Sequence, residues 1–148
     1  MKKLFVIVFA MVCVFSFSGC EKTPSSTESE TSNKTIIGYI KEINNETVSF
    51  DETEWVTVPG ERATELGITD DIASNGFYIH NEESVITEYN IADKCVISIL
   101  DWENLVTTKQ IELVNFIDML EQRESDVIPY MLTIKDGNVI EIKERYIP

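Results

Sequence analysis

The chain has 148 residues, with 26 acidic against 12 basic side chains and a single histidine, for a net charge of −14. That balance argues against nucleic-acid binding, which needs clustered Lys and Arg to neutralise phosphate. A lone histidine, His80, leaves no second imidazole for a His-rich metal centre.

At the N-terminus, Lys2 and Lys3 precede residues 4–17, which are apolar except for Ser16. As a helix those residues would span roughly 21 Å at ~1.5 Å per residue, short of the ~30 Å hydrocarbon core of a bilayer. The pattern predicts a cleaved signal peptide over residues 1–19 rather than a permanent span. It ends in Phe17-Ser18-Gly19-Cys20, an apolar residue, two small ones and a cysteine. This resembles the lipobox of bacterial lipoprotein precursors, with Phe standing where Leu is usual. The resemblance implies that Cys20 takes a diacylglyceryl group and becomes the N-terminus of a chain held on the extracytoplasmic face of the cell membrane. Two acyl chains suffice for stable anchoring, where one is marginal.

Residues 21–35, EKTPSSTESETSNKT, contain no aliphatic or aromatic side chain. They cannot bury enough apolar surface to offset their ordering entropy and predict a tether over residues 20–35. Removing Lys2 and Lys3 with the signal leaves 10 basic and 26 acidic residues, a charge of −16. An anionic lipid surface should repel such a domain, which makes the lipid its membrane attachment. Envelope proteins with a basic face, cationic peptides and divalent cations are electrostatically permitted partners; the oligomeric state is not indicated.

Residues 36–148 predict one globular domain. Residues 36–43 and 47–50 read as a hairpin about the turn Asn44-Asn45-Glu46, with residues 54–58 continuing or bending the second strand up to Pro59. Residues 61–66 predict a short helix closed by Gly67, with Ile68 packing back on it. Residues 77–80 and 85–89 read as strands around a polar loop, and residues 95–100 as the next strand. Cys95, the one thiol left after export and lipidation, is expected there as a small buried hydrophobe.

Thr107-Thr108-Lys109-Gln110 fits a capping box, with Val106 and Ile111 as a hydrophobic staple. It predicts a long helix with Leu113, Phe116, Ile117 and Leu120 on one face. In the last hairpin, a three-residue loop Asp136-Gly137-Asn138 sets Lys135 opposite Val139, Ile134 opposite Ile140 and Leu132 opposite Ile142, keeping the aliphatics on one face. The expected fold is α+β: a small curled antiparallel sheet, or a partly open OB-like barrel, of six to seven strands with one long amphipathic helix. Gly76-Phe77-Tyr78-Ile79 and the segment IKDGNVI at 134–140 are similar to those of small uncharacterised lipoproteins of Gram-positive bacteria, a resemblance that implies no particular activity.

No nucleophile elbow, HExxH, CxxC, P-loop or dinucleotide-binding glycine pattern is present, and no cofactor is expected. Residues 71–82, DIASNGFYIHNE, approach a calcium loop, but Ala73 and Ile79 occupy positions where oxygen ligands belong. Divalent-cation binding would draw on Asp70, Asp71, Asn75 and Glu82. The acidic pairs Asp51/Glu52/Glu54, Asp70/Asp71, Glu82/Glu83 and Asp101/Glu103 would have to converge across a cleft to serve a small envelope hydrolase. Trp55, Trp102, Tyr39, Tyr130 and Tyr146 are the candidates for a ligand face, since Trp and Tyr contribute strongly to interfaces. The favoured function is a membrane-tethered extracytoplasmic domain with a non-enzymatic binding or envelope-associated role; the hydrolase and the cation-binding module are the alternatives.

Overall fold

The computed structural model describes residues 33–104, 107–123 and 128–147. The expected signal peptide, Cys20, most of the expected tether and Val106 lie outside them. The elements run β1 (Lys34–Ile43), β2 (Thr47–Thr57), α1 (Glu61–Glu65), β3 (Phe77–His80), β4 (Ile86–Leu100), β5 (Thr108–Ile111), α2 (Leu113–Glu121), β6 (Tyr130–Lys135) and β7 (Asn138–Glu144). No helix among the described residues is long and apolar enough to cross a membrane.

Five strands close into a barrel in the order β2-β1-β6-β7-β4, with β4 returning to pair with β2. β3 adds to the second half of β2 and β5 to the end of β4. The expected α+β class is corrected to mostly β, since the two helices have only five and nine residues. The expected antiparallel sheet is mixed, because β4 and β7 run parallel, and the expected opening is closed by the β2–β4 ladder.

Alternation decides the inside. Ile36, Gly38 and Ile40 of β1 point inward, as do Val48 and Phe50 of β2, Leu132 and Ile134 of β6, and Val139 and Ile142 of β7. Each buried aliphatic or Phe side chain contributes about 1.5–3 kcal/mol relative to exposure. A second, smaller cluster of Val56, Val58, Ala63 and Ala73 sits beneath α1, with Leu66 and Ile68 packed against it. The helix end there is as expected: Gly67 has φ 69°, and the amides of Ile68 and Gly67 donate to the Ala63 and Thr64 carbonyls at 2.8 and 3.1 Å, a Schellman motif.

Long-range pairing overrode local pattern in four places. The two strands expected at residues 85–89 and 95–100 are one strand, β4, because its first part pairs with β2 and its last part with β7 and β5. β3 pairs with β2 and not with β4, so no hairpin forms around residues 81–84. The capping box does not form. Thr107 instead donates its hydroxyl to the Asn104 carbonyl at 3.0 Å, residues 108–111 join the ladder opposite Leu100 to Ile97, and the helix begins after Glu112. Its apolar face is as expected at Phe116 and Leu120, which enter the core, Phe116 meeting Tyr130 edge-on at 5.6 Å. β1 also begins at Lys34, so Lys34 and Thr35 belong to the barrel wall and not to the tether.

The final hairpin corrects the expected loop while keeping its purpose. Lys135 pairs with Asn138, leaving a two-residue Asp136-Gly137 turn with both residues at positive φ (52° and 79°), as a type I′ turn requires. A bulge then shifts the register between Ile134 opposite Val139 and Thr133 opposite Glu141. The extra residue restores Leu132 opposite Ile142, so Val139, Ile142 and Glu144 all face inward.

Candidate functional site

The outer wall of β1, β2 and β6 carries an apolar strip. Ile37, Trp55 and Met131 project from neighbouring strands and, with Thr35, line a shallow groove of about 240 Å³ that ends at Arg145. Strand alternation explains Arg145. Glu144 closes β7 facing inward, so the next residue turns out, and its amide donates to the Pro129 carbonyl at 2.9 Å. The guanidinium lies over the Trp55 ring at 4.6 Å, and Trp55 is itself stacked on Phe77 at 4.2 Å and 10°. A cation held this way over an indole gains about 0.5–1 kcal/mol at an exposed site.

On the other side of Arg145 a second groove, of about 290 Å³, is lined by Trp102, Ile128, Pro129, Tyr146 and Ile147. Trp102 and Tyr146 are 53% and 41% exposed, enough to meet a partner. Beneath Trp102 lies Arg123, 5.8 Å from the ring, whose guanidinium reaches the fully buried Glu144 carboxylate at 3.1 Å. Glu144 also accepts the Leu100 amide at 2.8 Å, so the floor of this groove is tied into the core. Among the described residues Arg145 makes no ion pair, whereas the other two arginines, Arg62 and Arg123, each have a carboxylate partner.

Three of the five expected aromatic residues, Trp55, Trp102 and Tyr146, thus flank one arginine. Tyr130 does not join them; it is buried and closes the core. Tyr39 lies further along the outer face of β1, opposite Asp51. Arg145 went unnoticed in the sequence because neither its strand-end position nor its outward turn was fixed before the β7 bulge was known. Comparison with protein-family models, curated proteins and solved structures finds no match to this chain.

The acidic residues take separate tasks. Asp51 is buried and accepts the Ser84 hydroxyl at 2.8 Å and the Asn81 amide at 3.3 Å, pinning the loop after β3. Glu52 pairs with Lys34. The Arg62 guanidinium, hydrogen-bonded to Glu54 at 2.8 Å, holds that carboxyl below its ordinary range. Asp70 and Asp71 are exposed in the turn before Asn75, and β3 separates Asn75 from Glu82, which reaches back to His80 at 3.7 Å. Among the described residues no three His, Cys, Asp or Glu side chains gather as a metal site.

Two groups couple the core to alkaline pH. Burial, aided by the Glu144 carboxylate, pushes the Tyr130 hydroxyl up to about 12, and burial with Glu141 pushes the half-buried Cys95 thiol up to about 11. Both folded values exceed the ordinary ones, so the neutral forms are favoured by folding. Their stabilisation is complete below about pH 9 and is lost as pH rises towards 12. Urea titrations should show stability falling over that window by about 2–3 kcal/mol from Tyr130 alone, and a Tyr130→Phe variant should flatten the fall. An unchanged midpoint in wild-type protein across that window would refute the coupling.

Proposed function

We propose that the protein is a lipid-anchored extracytoplasmic domain that binds a component of the cell envelope without catalysing a reaction, using the surface on either side of Arg145. The observation that carries this reading is that two grooves, one lined by Trp55 and the other by Trp102 and Tyr146, share Arg145, whose guanidinium lies over Trp55 and has no acidic partner among the described residues. Both grooves are open and fall below the roughly 300–1,000 Å³ of a drug-sized ligand pocket. That size suits contact with one headgroup or side chain at a time. The anchor reading is supported by Phe17-Ser18-Gly19-Cys20.

The finer fold reading is an OB-like barrel. Supporting it are five barrel strands whose third and fifth, β4 and β7, run parallel, and a helix, α2, placed between the third and fourth. The acid excess directs such a barrel away from oligonucleotides.

Two measurements test the reading. Cys20→Ser should abolish membrane retention of a processed product in cell fractions; a processed, retained chain would overturn the anchor. A photo-crosslinking residue placed at Tyr146 in intact cells should give a discrete adduct. The same residue at Val114, a still more exposed position on α2, should give none. Equal labelling at both positions would remove the Arg145 surface as the binding face.

A further inference from the structure

We infer that the Arg145 surface docks on the phosphodiester headgroup layer of the bilayer that holds the anchor, with Trp102 and Tyr146 seated among the headgroups and the Arg145 guanidinium on a phosphate. This rests on the anchor reading above and names the partner of the same face. The first support is where the chain enters the barrel. β1 starts at Lys34, and Thr35 and Ile37 of that strand line the groove shared by Trp55 and Arg145. The segment leading back to Cys20 therefore joins the domain at this patch. If that segment is the tether its composition implies, its about 14 residues would have an r.m.s. reach of roughly 20 Å, short enough to keep this part of the barrel next to the membrane.

The second support is the chemistry of the patch. Trp and Tyr favour the membrane–water interface, where an apolar ring and a polar edge are both satisfied, and Ile147 adds apolar surface beside them. A guanidinium presents a planar fork of donors that matches a phosphate. Of the three arginines, Arg62 and Arg123 hold carboxylates, which leaves Arg145 as the guanidinium placed to meet a phosphate.

The third support fixes the kind of headgroup. A chain of net charge −14, or −16 without Lys2 and Lys3, is repelled by an anionic surface. One arginine and a few aromatic side chains can hold only where that repulsion is absent, so docking favours zwitterionic phosphodiester lipids and weakens as anionic lipid is added. A basic peripheral protein behaves in the opposite way.

The test uses the full lipidated chain reconstituted in phosphatidylcholine vesicles whose acyl chains carry bromine near the headgroup, a short-range quencher of tryptophan. Tryptophan emission should be quenched, and Trp102→Phe should remove most of that quenching. Arg145→Glu should lower it while the chain still floats with the vesicles through its lipid. Replacing part of the phosphatidylcholine with phosphatidylglycerol should reduce quenching, and high salt should restore it by screening. A vesicle-bound chain with unquenched tryptophans overturns the docking and leaves the anchor standing, as does quenching that rises with phosphatidylglycerol. A chain that fails to float with the vesicles defeats the anchor reading, and the docking with it. Crosslinks from Tyr146 to protein alone, with none to lipid, keep the face and overturn the bilayer as its occupant.

Discussion

Gly38→Ala should lower unfolding free energy by at least about 3 kcal/mol and the melting temperature by roughly 10 °C or more. Gly38 points into the barrel between Glu52 on β2 and Tyr130 on β6. A methyl group there would collide with the Asp51 carbonyl oxygen and sit 2.9 Å from its carbonyl carbon. The obstacle is backbone, so no side-chain rotation relieves it. The β1–β2 ladder must open, at the strand pair that carries Phe50 and the Asp51 loop anchor. Thermal melting with far-UV circular dichroism checks this, and a variant melting within a few degrees of wild type would show that β1 and β2 tolerate the added group.

Arg123→Ala should cost about 3–5 kcal/mol, because it strands the Glu144 carboxylate inside the barrel wall. Glu144 is 2% exposed, and losing Arg123 leaves it, among the described residues, only the Leu100 amide. Taking both charges away, as Arg123→Met with Glu144→Leu, should recover much of the loss. The unsatisfied Leu100 amide would then retain a penalty of about 1–3 kcal/mol. Urea denaturation of the two single variants and the double variant closes the cycle. Additive losses would mean that the pair is not coupled. The single variant also removes the cation under Trp102, so loss of its tryptophan quenching on brominated vesicles, at temperatures where it stays folded, would show that the groove floor is shaped by this ion pair.

Several features could be read locally because one stretch of chain decides them. The hairpin about Asn44-Asn45-Glu46 formed between residues 43 and 47, with Asn44 Oδ1 accepting the Glu46 and Thr47 amides at 2.7 and 2.8 Å. The Gly67 helix stop formed because a left-handed residue with a following aliphatic closes a helix end wherever it occurs. The capping box misled for a related reason. Thr107 and Gln110 are equally good strand and turn residues, and a ladder partner at Leu100 to Ile97 outweighed a cap.

At the candidate site, Trp55, Trp102 and Tyr146 could be singled out by residue type alone, since an aromatic side chain near a strand end is often half-exposed. Nothing in residue type separated them from Tyr130, which the barrel buried. Arg145 and the Arg123–Glu144 pair lay beyond reach, because an inward Glu at residue 144 makes sense only once Arg123, 21 positions away, is folded against it.

By itself the sequence determined the acidity of the chain, the lipobox-like pattern of residues 17–20, the strand-rich composition and the helix face carrying Phe116 and Leu120, because each depends on residue type and short-range period. Only the tertiary structure decided that β4 is one strand, that the sheet closes on itself and that a bulge at β7 resets which residues face out. Those outcomes depend on backbone partners far apart in the chain, and a one-residue shift in register reverses every side chain that follows.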